Sequence, residues 1–221
     1  MSQRRLLAAG LVSVAAAVII GVWGASTTGS RFPMMGSFGG SYGSTISINQ
    51  AQQSVQSFLD RTGNSDLKID ELLEFQDNFY VLIKEDSTGV GAFELLVNKA
   101  NGVLSPEPGP NMMWNTKYSI MGGSGMMGGG MMDGWGSFRV GNSGGAITVS
   151  SDQATQIAQS WLDGNIKGDS AGTPDAFYGY YTFHFLKNGK IDGMLSVNGY
   201  GGQVWYHTWH GAFMQARDLG A

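Results

Sequence analysis

The sequence contains no cysteine among its 221 residues. Disulfide bonds, zinc sites built on thiolates, iron–sulfur clusters and cysteine nucleophiles are therefore all excluded. The lack of cysteine does not by itself assign the protein to a cellular compartment, so that assignment has to come from other segments of the chain.

Charged side chains are also scarce. They make up 14% of the residues, and the formal net charge is −4. The sequence has no stripe of basic residues, and its one pair of adjacent arginines, Arg4 and Arg5, lies at the N-terminus. This distribution argues against a nucleic-acid-binding protein.

Residue patterns typical of a catalytic site are missing as well. The sequence has no paired carboxylates in a motif and no phosphate-binding loop. Residues 141–145 match G-x-S-x-G. They follow a low-complexity tract and lead towards another predicted strand, whereas a hydrolase nucleophile lies between a strand and a helix. The sequence therefore predicts a protein that is not an enzyme.

Residues 1–26 have the features of an export signal. Arg4 and Arg5 provide a positive start, residues 6–23 are uncharged, and residues 24–26 are small. The uncharged run is just long enough to span a bilayer, so a cleaved signal peptide and a retained membrane anchor both fit. The arginines place the N-terminus in the cytoplasm. We expect an exported protein that is anchored in the cell membrane, or else secreted or periplasmic.

An internal repeat dominates the remaining sequence. Ser47 and Gln50 recur as Ser150 and Gln153, at an offset of 103 residues. In each copy, the serine and the glutamine three positions later form a capping-box pattern that predicts the start of a helix. The predicted helices each carry one apolar face, made of Ala51, Val55, Phe58 and Leu59 in the first copy and of Ala154, Ala158, Trp161 and Leu162 in the second.

Apolar runs separated by turn signals follow each predicted helix. They cover residues 67–75, 79–84, 91–97 and 103–104 in the first copy, and residues 177–186, 193–197 and 203–207 in the second. We therefore predict an α+β fold with two repeated units, each one helix packed on an antiparallel β-meander, preceded by an N-terminal hydrophobic helix. Phe58 and Trp161 are expected at equivalent buried positions.

The predicted domains follow from the repeat and from the glycine-rich stretches between its copies. In order along the chain, they are the signal peptide or anchor (1–26), a Gly/Ser/Met linker (27–44), the first repeat domain (45–118), a Gly/Met-rich linker (119–145), the second repeat domain (146–213) and a C-terminal tail (214–221).

A helix followed by a meander, in an exported chain, resembles the PepSY domain family. The opening helices and the strand–turn–strand segments at residues 93–104 and 194–204 carry the resemblance, which covers roughly residues 45–118 and 146–213. The resemblance implies an extracytoplasmic module, named for peptidase propeptides, that modulates proteases or binds partners, and it implies no catalytic residues. The Met/Gly-rich insert departs from the basic family pattern and argues against a simple protease inhibitor.

The insert between the two copies is the first candidate metal site. Thioether sulfur is a soft ligand that suits Cu(I), and glycine lets the backbone fold so that several sulfurs converge. The alternative is an adaptable hydrophobic segment that contacts the domains, the membrane or a partner. The candidate ligands are Met121, Met126, Met127, Met131 and Met132.

His207 and His210 form the second candidate metal site. On a strand the two side chains would point to opposite faces, whereas in a turn or helix they could converge. With Met214 nearby, the residues suggest a mixed His/Met copper site. The alternative is a pair of solvated or hydrogen-bonded imidazoles. The two copies end in a similar order of residues, which suggests a structural closure shared by both. These residues are Trp114, Thr116 and Tyr118 in the first copy, and Tyr206, Thr208 and His210 in the second.

Together these features predict an exported binding protein that binds either copper or an extracytoplasmic protein partner, and that associates with the membrane through its N-terminal segment. The alternative function is an extracytoplasmic regulator or inhibitor of a peptidase, which rests on the PepSY resemblance alone.

Overall fold

The computed structural model describes residues 45–118 and 147–220, which all belong to one compact unit. The fold is α+β with antiparallel sheets, as predicted. In the first repeat, the elements are α1 (Ile48–Thr62), β1 (Leu67–Phe75), β2 (Asn78–Glu85), β3 (Gly91–Asn98), β4 (Leu104–Pro106) and α2 (Pro110–Met113). In the second, they are α3 (Ser151–Asn165), β5 (Ser170–Ala171), β6 (Asp175–Ala176), β7 (Tyr180–Lys187), β8 (Lys190–Asn198), β9 (Val204–Tyr206) and β10 (Phe213–Asp218).

Both long helices begin as the sequence predicts. Ser47 and Ser150 are the N-caps, and each forms the reciprocal capping box with the glutamine three residues later. The predicted apolar faces are the buried faces, with one exception. Phe58 is buried, but Trp161 is only half-buried and stacks on Tyr206, with ring centroids 5.6 Å apart. The indole lies at the margin of its core, among the partly buried residues that pack against it.

The strands form two antiparallel sheets. Sheet A has the order β10-β1-β2-β3-β4, and sheet B has the order β5-β7-β8-β9, with β6 also paired to β7. The short strands β4 and β9 add to their sheets in the same register, because Val97 pairs with Leu104 and Val197 pairs with Val204. The two meanders therefore match at an offset of 100 residues in this part of the fold.

The C-terminal residues differ from the prediction. Residues 214–221 were predicted to be a tail, but Phe213–Asp218 form β10, which pairs with β1 of the first repeat. Apolar and polar residues do not alternate in this segment, so its pattern does not predict a strand. It is ordered because β1 would otherwise be a free sheet edge with unpaired backbone groups. The chain of the second repeat thus returns to complete the sheet of the first.

The sheets pack face to face, with one helix on the outer face of each. On β2, Phe79, Val81 and Ile83 pack with α1, whereas the alternate residues Tyr80 and Leu82 face sheet B. On sheet B, the residues that pack with α3 are Tyr181, Phe183, Phe185, Leu195 and Val197. The order of layers is therefore α1, sheet A, sheet B and α3, with the inter-sheet layer at the centre.

The predicted N-terminal hydrophobic helix, both linkers and the G-x-S-x-G match lie outside the described residues. Within residues 45–118 and 147–220, no helix is long and apolar enough to cross a membrane.

Glu85 on β2 links the two repeats and provides a test of stability at low pH. The carboxylate is almost fully buried and accepts hydrogen bonds from Thr88, Lys117, Tyr118 and Tyr178. Burial raises the pKa of Glu85, but these bonds outweigh burial and lower it from 4.5 to about 2. The carboxylate therefore stabilises the folded state above pH 4.5, and this stabilisation is lost as the pH falls from about 4.5 to about 2.

We expect the wild type to lose up to about 3 kcal/mol of unfolding free energy through Glu85 over that pH range, at 1.36 kcal/mol per pKa unit. Urea denaturation at several pH values measures the loss. Glu85→Gln should be less stable at neutral pH and should show a shallower acid dependence. Equal slopes for the wild type and this variant would contradict the role of Glu85.

Candidate metal centre

The inter-sheet layer contains more polar side chains than the interior of a β-sandwich normally holds. Glu94 on β3 lies at its centre and is fully buried. Its Oε1 lies 2.8 Å from the hydroxyl oxygens of both Tyr80 and Thr182, and its Oε2 lies 2.7 Å from that of Tyr180. Burial and the charge of Glu107 raise the pKa of Glu94 well above its usual value.

Glu107 and His207 occupy equivalent positions in the two repeats. Glu107 directly follows β4, and its backbone N–H donates to the Glu94 carbonyl over 3.0 Å. His207 directly follows β9, and its N–H donates to the Met194 carbonyl, also over 3.0 Å. The sheet ladders therefore fix both backbones, and the two side chains meet where the repeats face each other.

His210 joins this pair from the crossover, which we define as residues 207–212, the segment that connects β9 to β10. The carbonyl of His210 accepts a hydrogen bond from the Asp77 N–H over 3.0 Å. Its ring stacks on Phe75, with ring centroids 4.5 Å apart. Because the crossover is not a strand, His207 and His210 can turn to the same side, which strand geometry would prevent.

Glu107, His207 and His210 form a compact and buried donor set. Their exposed fractions are 0%, 4% and 2%, and one ligand atom from each lies within 4.8 Å of the others. Oε1 of Glu107 lies 3.2 Å from Nδ1 of His207 and 3.0 Å from Nε2 of His210. A tetrahedral zinc ion with bonds of 2.0–2.1 Å has ligand–ligand distances of about 3.3 Å, so these separations suit such an ion.

The two imidazole nitrogens of this set and the second carboxylate oxygen of Glu107 lack hydrogen-bond partners among the described residues. Nδ1 of His207, Nε2 of His210 and Oε2 of Glu107 are buried, and none of them has a partner of suitable geometry among the described residues. The two nitrogens lie 3.2 Å and 3.0 Å from Oε1 of Glu107, which itself accepts a hydrogen bond from Nε1–H of Trp209 over 3.2 Å. Buried polar atoms without partners are rare and costly, and a cation bound between them would satisfy all three.

Neighbouring residues orient both imidazoles. The Asn78 side chain donates from Nδ2 to the Trp209 carbonyl over 2.7 Å, which leaves its Oδ1 facing Nδ1 of His210 at 2.9 Å. Nδ1 of His210 must therefore carry the hydrogen, and a neutral His210 presents the lone pair of Nε2 to the Glu107 carboxylate. Two lone pairs that face each other repel, unless a cation lies between them.

Ser196 performs the matching role for His207. Its Oγ lies 3.0 Å from Nε2 of His207 and 3.0 Å from Oγ1 of Thr182, which in turn contacts Glu94. This arrangement is typical of metal sites, where the ring nitrogen that does not bind the metal is held by a hydrogen bond.

The protonation states also favour a cation. Burial raises the pKa of Glu107, but His207 and His210 outweigh burial and lower it to about 2. Burial lowers the pKa of His210, despite the carboxylate beside it. These shifts favour the ionised form of Glu107 and the neutral form of His210, which are the forms that bind metal ions.

Two of these three residues, His207 and His210, are candidate ligands from the sequence. His207 and His210 converge, as predicted for a turn, but Met214 does not join them. The Met214 side chain is largely exposed, and its sulfur lies 3.4 Å from the Lys99 ammonium group. The five methionines from Met121 to Met132 lie outside the described residues, so the copper site in the linker stays a prediction.

Glu107 was missed because it lies between two prolines and no local pattern marks it as a ligand. Aligning the repeats at an offset of 100 would have placed it opposite His207. The predicted closure shared by the two copies is wrong, because Tyr206 pairs with Leu195 as Pro106 pairs with Leu95. Tyr206 is therefore equivalent to Pro106 and not to Trp114.

Comparisons with known proteins give little information about the residues of this candidate centre. No family model matches the chain, and no curated protein matches it. Among solved structures, the chain is similar to the C-terminal domain of YpeB from Bacillus megaterium, with 12% sequence identity and a TM-score of 0.24. The match covers 73% of this chain and 62% of that chain, so the protein spans less than two thirds of the length of that structure.

Proposed function

We propose that this protein binds a divalent transition metal ion, with zinc as the best fit, between Glu107, His207 and His210. The observation that carries the proposal is the convergence of three buried ligand residues: Nδ1 of His207 and Nε2 of His210 have no hydrogen-bond partner among the described residues, and they lie 3.2 Å and 3.0 Å from Oε1 of Glu107. Two imidazoles and a carboxylate are a known zinc donor set. The carboxylate is a hard ligand, which makes this centre a poor site for Cu(I).

The setting of the centre suggests a binding protein and not an enzyme. The three ligands are almost fully buried, and the neighbouring polar groups bond to one another within the inter-sheet layer. Three protein ligands leave the fourth position of a tetrahedral ion open, and the burial of all three ligands argues against access of a substrate to it. We further propose that the two repeats are PepSY-like modules on the outer side of the membrane, held there or exported by residues 6–23.

Calorimetric titration of the full chain, purified in mild detergent and stripped of metal with a chelator, tests the zinc proposal. We expect uptake of about one Zn²⁺ per chain, since the centre uses each ligand once. The matched control is a variant in which the five linker methionines are changed to serine, which should take up the same amount of zinc. No uptake by the wild type, or uptake that disappears in the control, would contradict the proposal.

Cu(I) binding by the linker is a second and separate proposal, supported by five methionines that lie among glycines between Met121 and Met132. The same methionine-to-serine variant tests it. The wild type should compete with a colorimetric chelator for Cu(I), and the variant should not. If the two proteins compete equally, the linker is better explained as a hydrophobic contact segment.

Regulation of a peptidase rests on the family resemblance, and the geometry of the centre adds nothing to it.

A further inference from the structure

We infer that the metal ion controls the docking of the C-terminal strand β10 on β1, so that loss of the ion releases this strand. The inference rests on the proposed metal binding and goes beyond it. Three features carry it: where the ligands lie along the chain, how weakly β10 is otherwise held, and what the empty donor set does to the crossover.

The ligands are placed so that an ion fastens the crossover to the first repeat. His207 and His210 both belong to the crossover, which carries the chain from sheet B to β10. Glu107 belongs to the first repeat, directly after β4. An ion that binds all three residues therefore ties the segment leading into β10 to the body of sheet A, three residues before β10 begins.

Apart from this tie, β10 buries little surface. Met214, Gln215, Ala216 and Asp218 are exposed, and Phe213 and Arg217 are only half-buried. The strand is held mainly by its backbone ladder with β1, by a Gln215–Glu74 hydrogen bond of 2.6 Å and by an Arg217–Gln52 hydrogen bond of 2.7 Å. Segments with few buried apolar contacts open locally at a small free-energy cost.

Without the ion, the crossover carries an unfavourable arrangement. The Glu107 carboxylate faces the Nε2 lone pair of His210 at 3.0 Å, and three buried atoms lack partners among the described residues. The crossover is joined to Glu107 by the hydrogen bond of 3.2 Å that Nε1–H of Trp209 donates to Oε1. Movement of the crossover away from Glu107 would expose these atoms to water and remove the free-energy cost of burying them without partners. The same movement would break the Asp77–His210 and Gln76–Ala212 backbone hydrogen bonds, which lead directly into the ladder of β10.

Bound metal favours the state in which β10 is docked on β1, because an ion that binds only this docked state stabilises it by mass action. The two states thus differ in whether β1 has a partner on its outer edge. Loss of the ion exposes a row of unpaired backbone groups on β1, the feature through which sheets pair with other chains.

Hydrogen–deuterium exchange of the full chain in detergent, with Zn²⁺ or with a metal chelator, tests this inference. With Zn²⁺, peptides that cover residues 207–218 should exchange about 10-fold to 100-fold more slowly. Peptides that cover β2 serve as the internal control, because β2 lies in the middle of sheet A and should be protected in both conditions. Equal protection of residues 207–218 with and without bound zinc would overturn the inference, as would slowing of the same size in β2.

A variant of β10 gives an independent test through reciprocity. Gln215→Pro combined with Ala216→Pro removes two adjacent N–H groups, one of which must point towards β1, and it leaves the three ligands unchanged. If metal and strand docking are coupled, this variant should bind Zn²⁺ about 10-fold more weakly, because each event strengthens the other by the same factor. Unchanged zinc affinity would overturn the coupling. A wild type that takes up no zinc would overturn both the metal site and this inference, whereas zinc uptake with unchanged exchange would overturn this inference alone.

Discussion

Replacing Glu107 with glutamine lowers the affinity of the protein for Zn²⁺ by about 100-fold or more. The substitution keeps the size of the side chain but removes the one negative charge of the donor set, and a neutral amide oxygen is a much weaker zinc ligand. Changes to residues that only orient metal ligands typically cost 10–100-fold, so loss of a ligand itself should cost at least the upper end of that range. Titration in competition with a chelator of known affinity measures the change.

The structure provides a matched control for this substitution. Glu71 also faces a histidine in the inter-sheet layer, with its Oε2 3.2 Å from Nε2 of His184, but it lies outside the three-residue donor set. Glu71→Gln removes a similar carboxylate from a similar pair but leaves the three ligands unchanged, and it should leave the affinity for Zn²⁺ within about threefold of the wild type. If Glu71→Gln and Glu107→Gln weaken zinc binding equally, the effect is general and the proposed centre is wrong.

Truncating Phe58 to alanine lowers the free energy of unfolding by about 3–5 kcal/mol. The Phe58 ring is 5% exposed and packs edge-on against Phe93 in the core under α1, with ring centroids 6.5 Å apart. Its removal leaves a cavity between a helix and a sheet that cannot close without moving one of them. Denaturant unfolding of the metal-free protein isolates this effect from metal binding.

Trp161→Ala is the comparison for that experiment, because Trp161 holds the equivalent position on α3. Its ring is half-buried, so water can fill part of the space that the truncation leaves. We expect a loss smaller than that of Phe58→Ala, although the side chain removed is larger. A loss below about 1 kcal/mol for Phe58→Ala, or a larger loss for Trp161→Ala, would contradict the packing described for the two helices.

The parts of the fold that follow from local sequence were predictable. The capping boxes at Ser47 and Ser150 involve residues only three positions apart, and the buried faces of α1 and α3 follow from helical periodicity. The antiparallel meanders follow from short apolar runs between turns. Each of these signals lies within one element or between neighbouring elements, where sequence spacing determines geometry.

The features that depend on distant parts of the chain could not be predicted in the same way. β10 is a strand because β1 offers a free edge more than a hundred residues earlier in the sequence. Face-to-face packing of the sheets depends on alternate residues of strands that are far apart. Glu94 shows the difficulty, because its burial among the hydroxyls of Tyr80, Tyr180 and Thr182 joins both repeats.

The candidate metal centre lies between these two cases. The spacing of His207 and His210 indicated a metal site if the backbone left the strand conformation, and the structure shows that it does. The third residue, Glu107, comes from the other repeat, and it could be found only by comparing equivalent positions in the two copies. The donor set thus depends on the repeat itself, because the pseudo-equivalent ends of β4 and β9 bring one ligand from each copy together.

X-ray absorption at the zinc edge, measured on the full chain loaded with one equivalent of Zn²⁺, tests the central claim most directly. The proposed centre predicts scattering from two imidazole rings, with nitrogen and oxygen neighbours at about 2.0–2.2 Å from the zinc ion and no sulfur. Glu107→Gln should alter this spectrum or abolish zinc loading, whereas the methionine-to-serine variant of the linker should leave it unchanged. A spectrum with sulfur neighbours, or with oxygen neighbours and no imidazole scattering, would contradict a zinc site formed by Glu107, His207 and His210.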